Sequence, residues 1–363
     1  MSLRYREVKE QILKEITALQ PHDKIPSRPA MCQKYLVTRT TVDKAINELI
    51  REGFLYSIDG SGTYVSDEDK RNTSYRQNLI NIGVLLPNIM ADTYPGIMKG
   101  IEDVTQKLNI NVVLCNTDND YQKQYVYIHR LLNSKISGFI IIPAICKASD
   151  AEIYQYLLKS NVPFVFCNRG LYDLDRPIIS SNDFFGGFLA TDQLLRKGYS
   201  RIAYLSPIRY KASIDRYQGY ISALSQHHVP VRSELVVIRD GAPTEERAYI
   251  ETKNLLEAGG KIDGIVCFND HVAVGAIRAA TEYGLKISRD LGVIGYDDTP
   301  LCEMMPLKLT SVAYKNHEIG QKAAEVLYRM ICYPKKAIDD IYIFQPELKI
   351  RESCRGKEET FAG

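Results

Sequence analysis

The stretch LINIGVLLP, residues 79–87, is a continuous apolar run closed by a proline. It lacks the alternation of a half-exposed strand and reads as a strand buried on both faces. A helical pattern near 94–109 follows, then the strand NVVLCN, a helix near 120–134, the strand GFIIIPA, a helix near 150–160 and the strand PFVFCN. A second series continues with a helix near 185–197, RIAYLSP, a helix near 213–227, ELVVIRD, a helix near 244–258, GIVCFND, a helix near 271–283 and LGVIGYDD. Apolar strands alternating with amphipathic helices imply parallel sheets covered on both faces. The units are too many for one compact sheet. The fold class predicted for residues 79–353 is therefore α/β, with two lobes of doubly wound parallel sheet and a cleft between them. Ligands of such sheets sit at the carboxyl ends of the strands.

Upstream, residues 66–78 (SDEDKRNTSYRQN) are polar and aperiodic, and a linker is placed at 67–78. Before it the pattern is different. A helix over about 3–19 puts Leu3, Val8, Ile12, Ile16 and Leu19 on one face and ends before Pro21. A short helix fits 29–36, with Pro29 in its first turn. From Thr40 a third helix places Val42, Ala45, Ile46, Leu49 and Ile50 on one stripe, and Gly53 can end it. The segments 54–58 and 63–65, joined by Asp59-Gly60-Ser61-Gly62, read as a hairpin. Three helices and a hairpin outline a small winged helix-turn-helix domain at 1–66. A C-terminal tail is placed at 354–363.

The totals agree with a small domain plus a two-lobed larger one. The chain has 363 residues, 45% of them apolar and 25% charged, with a formal net charge of +2. Near neutrality argues against a wholesale polyanion binder but permits a local basic face. Cys115, Cys146, Cys167, Cys267 and Cys302 lie in or beside apolar runs, and no CxxC pair occurs. They read as small core residues in a reducing cytoplasm, with no structural metal site and no cofactor expected. The N-terminus MSLRYREVKEQ lacks the apolar stretch of a signal peptide, and no run of 18 apolar residues exists, so neither export nor a membrane partner is expected.

In a helix-turn-helix, the N-terminal residues of the second helix of the motif meet base edges in the major groove. Here they are Thr38, Arg39, Thr40 and Thr41, with Lys44 one turn on. Arg39 can fork to guanine O6 and N7 or bridge a phosphate. Ser27, Arg28, Lys34 and Lys44 are candidates near the DNA backbone, and Gly60-Ser61-Gly62 forms a slim wing tip for the minor groove. Residues 1–65 hold ten Lys/Arg against eight Asp/Glu, so composition alone permits an ordinary solvated face equally well.

In the body, Asn168-Arg169, Arg216, Asn269-Asp270 and Asp297-Asp298 follow strands or open the next helix. Residues that can make paired hydrogen bonds, gathered with aromatic rings, suit a neutral polyhydroxylated ligand. Each alone reads as a helix cap or a surface ion pair. Their recurrence at strand ends in both halves favours a ligand site. No nucleophile–base pair stands out among the six histidines, so an enzyme is not expected, and His271 reads as a cap-region residue.

The series Ile25-Pro26-Ser27, Val37-Thr38-Arg39-Thr40-Thr41-Val42, Leu49-Ile50-Arg51-Glu52-Gly53 and Gly60-Ser61-Gly62-Thr63-Tyr64-Val65 resembles the GntR-type winged helix. That resemblance implies a dimer on a near-palindromic double-stranded operator. The sequence departs from the family pattern at Arg28-Pro29, where Glu-Arg is usual, and at Asp43, where a basic residue is common. The body, with Ile82 to Pro87, Gly100-Ile101-Glu102, Gly186-Gly187, Arg216-Tyr217-Gln218-Gly219, Phe268-Asn269-Asp270 and Val293 to Asp298, resembles the effector domain of the LacI/GalR family. The resemblance places effector contacts on Arg216, Asn269 and Asp297, then on Asn168 and Arg169, and also on Tyr94 and Tyr314. A GntR-type head on such a body resembles the arabinose repressor family, which makes L-arabinose the first ligand expected, ahead of another monosaccharide or a purine-like effector. GntR-type heads also occur on aminotransferase-like bodies, but no Schiff-base lysine with phosphate partners is evident. A transport binding protein would need a signal sequence and no DNA-binding head.

Overall fold

The structure, a computed structural model, describes residues 4–16, 18–67, 80–144, 152–171, 174–207, 211–239, 244–259, 261–334 and 341–356. The chain divides into two compact units, Met1–Ile80 and Asn81–Gly363.

The first unit holds α1 (Arg4–Ile16), α2 (Arg28–Tyr35), α3 (Arg39–Arg51), β1 (Leu55–Ile58) and β2 (Gly62–Val65). Ser27 caps α2 and Pro29 sits in its first turn, where a missing N–H costs nothing. Val42, Ala45, Ile46 and Leu49 of α3 are buried against Val8 and Ile12 of α1, Met31 of α2, and Leu55 and Val65 of the hairpin. The two strands pair antiparallel from Leu55↔Val65 to Ile58↔Gly62. This is the winged helix-turn-helix.

The second unit runs β3 (Ile80–Leu86), α4 (Tyr94–Lys107), β4 (Ile110–Asn116), α5 (Tyr121–Asn133), β5 (Gly138–Ile141), α6 (Glu152–Lys159), β6 (Phe164–Cys167), β7 (Ile178–Ser181), α7 (Asp183–Arg196) and β8 (Ile202–Pro207). It continues with α8 (Lys211–Gln226), β9 (Val236–Arg239), α9 (Glu245–Glu257), β10 (Gly264–Cys267), α10 (Asp270–Glu282), β11 (Gly292–Tyr296), α11 (Leu301–Met304), β12 (Thr310–Ala313), α12 (Asn316–Cys332), β13 (Ile341–Phe344) and β14 (Glu347–Lys349). Two six-stranded sheets result, ordered β13-β7-β6-β5-β3-β4 and β14-β12-β11-β10-β8-β9. β14 pairs antiparallel with β12, so the second sheet is not parallel throughout. Each sheet has its own core, around Phe139, Phe164 and Phe166 in one lobe and Ile265, Leu291 and Val293 in the other.

The lobes are not consecutive in sequence. After β12 the chain returns, and α12 and β13 complete the first lobe. Helix pairs cover the sheets with glycines at their crossings. A Cβ on Gly100 of α4 would be driven into the His317 carbonyl of α12, and one on Gly187 of α7 into the Arg216 carbonyl of α8. Backbones this close admit no side chain.

Two expectations need correction. β7, β13 and β14 are strands that the sequence pattern does not reveal, being short or polar. The stretch from 354 begins as packed structure rather than tail: Cys354 is fully buried, and the Arg355 N–H donates to the Ser288 hydroxyl at 2.9 Å. The linker from 68 on, the end from 357 on and Cys146 lie outside the described residues. Cys115, Cys167, Cys267 and Cys302 are buried free thiols.

Candidate functional site

Between the carboxyl ends of the two sheets lies a cavity of about 160 Å³. It is lined by Tyr94, Asn168, Arg169, Arg216, Asn269, Asp297 and Tyr314, the seven residues singled out above, together with Ala91, Thr93, Asp183, Ala212 and Phe268.

Arg216 is the best-held group. It is 8% exposed. Its Nε donates to Asp183 Oδ1 at 2.8 Å and its guanidinium to the Phe268 carbonyl at 2.7 Å. The Tyr296 ring lies 3.4 Å from the guanidinium carbon and the Phe268 ring 4.8 Å from it. Burial alone would favour loss of its proton; Asp183, Tyr296 and Asp297 reverse this and keep it charged. Tyr296 also donates to Asp183, at 3.3 Å. Arg169 of the facing lobe donates to the Tyr94 hydroxyl at 3.1 Å.

Asn269 caps α10, accepting from the Val272 N–H at 3.0 Å. The cap occupies the amide oxygen and leaves the NH₂ for the cleft, so capping and ligand roles are compatible. Asn168 and Asp297 both adopt left-handed backbone, with φ of 62° and 97°. The strained Asp297 loop is braced from behind. Buried Asp270 accepts from the Ser311 hydroxyl at 2.6 Å and from the Thr299 N–H at 2.7 Å. Burial pushes the Asp297 carboxyl up to about 7, with Arg216 opposing and Asp270 and Asp183 adding to the rise. Across the mouth His271 lies 3.3 Å from Asp92, so it joins the two lobes in addition to standing near a cap.

Asp183 is the main residue that sequence reasoning missed. It follows β7, whose IISS run carries no strand signal, so its place at a strand end was invisible. Thr93, beside Tyr94, and Phe268, before Asn269, were legible only as neighbours of chosen residues.

In the head, Arg39 opens α3 and its side chain is 76% exposed. Thr40 is exposed beside it, and Thr38 and Thr41 share a hydroxyl contact at 3.0 Å. Gly60, with φ of 74°, has open space around it, and Ser61 bonds to the Tyr64 hydroxyl at 2.5 Å. Three basic residues expected at the DNA backbone are engaged within the head. Lys34 pairs with Glu15 at 2.7 Å, Lys44 lies 4.1 Å from the Tyr5 ring centre, and Arg28 donates to Asp43 at 2.7 Å. The two positions that depart from the GntR-type pattern are thus each other's partner.

Residues 4–65 match the model of bacterial regulatory proteins of the gntR family, and residues 191–354 match a periplasmic binding protein-like domain. The arabinose metabolism transcriptional repressor of Geobacillus stearothermophilus is 30% identical over 366 residues, covering 97% of this chain and 98% of that one. The chain belongs to the arabinose repressor family. This family member is a DNA-binding transcriptional repressor with a LacI-type effector body. Its body is also 31% identical to the ribose operon repressor of Halalkalibacterium halodurans, over 77% of this chain and 81% of that one. A LacI family regulator from Enterococcus faecium, solved with bound ribose, superposes with a TM-score of 0.65 at 29% identity, covering 76% of this chain and 98% of that one. No helix among the described residues is long and apolar enough to cross a membrane.

Proposed function

We propose that this arabinose-repressor relative binds L-arabinose, or a closely related monosaccharide, in the interlobe cleft, and that occupancy releases a homodimer from a near-palindromic operator. The head is assigned to 1–66, the linker to 67–78 and the body to 79–353. The composition of the cleft carries this reading. With Asp297 ionised, as sugar hydroxyls donating to it favour, Arg169 and Arg216 are balanced by Asp183 and Asp297 and a neutral ligand meets no excess charge. Asn168 and Asn269 add paired donors and acceptors, and Tyr94, Phe268 and Tyr314 supply ring faces. A site drawing on both lobes favours one lobe arrangement when filled.

Two measurements test this. A panel of monosaccharides is screened for a rise in melting temperature, since a ligand of the native state must stabilise it. The best ligand is then titrated into a complex of the protein with a labelled palindromic duplex. L-arabinose should raise the melting temperature most and weaken DNA binding, and the duplex should weaken sugar binding by the same factor. If no sugar changes the grip on DNA, the reading fails.

The raised Asp297 carboxyl adds a signed prediction. Between about pH 4 and pH 7 the empty folded body holds a proton that the unfolded chain has lost, so this group's contribution to stability falls as pH rises through that window. Sugar hydroxyls donating to the carboxylate favour its charged form. Binding should therefore release a proton near pH 6, and affinity should rise from about pH 5 to pH 7. Calorimetry in two buffers of different ionisation heat checks it; identical binding enthalpies would show that Asp297 keeps its proton state.

A further inference from the structure

Asp43 stands on the exposed face of α3 among Thr40, Lys44, Asn47 and Arg51. A carboxylate on a surface that meets phosphates is repulsive unless it serves another group. Here it serves two. Its Oδ1 accepts from Arg28 Nε at 2.7 Å, and its Oδ2 lies 3.7 Å from Arg39 Nε. Arg28 comes from the start of α2 and Arg39 from the start of α3. A further donor of Arg28 reaches the Thr63 hydroxyl of β2 at 3.3 Å. The Arg28 guanidinium is therefore tied to the recognition helix and to the wing at once. These bonds use Nε and one terminal proton. The remaining terminal N–H groups have no bonding partner among the described residues. Two adjacent N–H groups in a fixed fork are what guanine O6 and N7 require, and a guanidinium already held loses little freedom on binding.

We propose that Asp43 is a positioning residue that holds Arg28 and Arg39 as paired guanine readers in the major groove. The inference rests on the DNA-binding reading and deepens it, moving Arg28 from the phosphates to a base edge. An isolated surface pair would contribute little to stability. The shared carboxylate and the third partner from the wing distinguish this arrangement from such a pair.

The test uses the full chain and two duplexes of equal length, one enriched by the wild-type protein from a random-sequence pool and one unrelated. Asp43→Asn should weaken binding to the enriched duplex by roughly tenfold to a hundredfold. Binding to the unrelated duplex should hold or tighten, because a negative charge has left the face. Asp43→Glu should keep most of the discrimination. Tightening on both duplexes would make Asp43 a merely repulsive charge. An equal loss on both, with a lower melting temperature, would make it a structural staple. Either result overturns the inference. Repeating the selection with Arg28→Lys should erase a guanine preference at one position in each half-site, and an unchanged preference would also overturn it. If the wild-type chain enriches no duplex, the DNA-binding reading itself fails, before any substitution is made.

Discussion

Arg216→Ala should lower sugar affinity by at least about a hundredfold and leave a repressor that stays on its operator at sugar concentrations that release the wild type. The side chains of Arg216 and Asp183 are 9% and 12% exposed, and Arg216 binds through two separate hydrogen bonds between two rings. Removing one partner of a buried pair leaves an uncompensated charge and costs about 3–5 kcal/mol. Here Asp183 would be stranded, and Asp297 would lose the cation that opposes its raised pKa. The loss should therefore appear both in calorimetric sugar titration and in the melting temperature of the empty protein. Arg216→Lys keeps the charge but cannot bond Asp183 and the Phe268 carbonyl in the same geometry, so it should recover stability more than affinity. Sugar binding within a factor of about three of wild type in Arg216→Ala would remove this residue from the site.

The second large effect is expected at a residue with no side chain. A Cβ on Gly219 of α8 would be driven into the Phe184 carbonyl of α7, just as one on Gly187 would meet the Arg216 carbonyl. The two glycines interlock the helices that carry Asp183 and Arg216. Gly219→Ala must push α8 away from α7. Overpacking of this kind costs about 1–3 kcal/mol and sometimes more. At roughly 2–4 °C per kcal/mol for a body this size, the melting temperature should fall by about 2–12 °C. Because Phe184 adjoins Asp183, the same shift should loosen the bond to Arg216 and weaken sugar binding by about tenfold. Ser225→Ala, at an exposed position of the same helix, should change neither quantity. An unchanged melting temperature in Gly219→Ala would mean that the helices part without cost.

The contrast between Asn269 and Asp183 shows how much of the site was legible. Asn269 follows the unmistakable strand GIVCF, so its place at a carboxyl end could be inferred without coordinates. Asp183 has the same relation to β7, but β7 is four residues long and reads IISS. Its strand character comes from pairing with β6 and β13, at Phe166↔Ile178 and Ile341↔Ile178, which no local pattern encodes. In the head, nothing in the local sequence couples Arg28 or Lys44 to a partner within the domain. Their hold on Asp43 and Tyr5 depends on how α1, α2 and α3 cross.

From its amino-acid order alone this chain declares a winged helix, an α/β body of two sheets, and most of the polar residues that face the cleft. Each of these follows from periodicity within a dozen residues, and periodicity is set by the backbone's own geometry. Three things awaited the tertiary structure: the return of α12 and β13 to the first lobe, the clamp of Asp183 on Arg216, and the sharing of Asp43 between two arginines. All three join residues whose separation in space depends on strand register and helix crossing. Those are settled by which packing buries the most apolar surface for the whole domain, not by any short stretch of it.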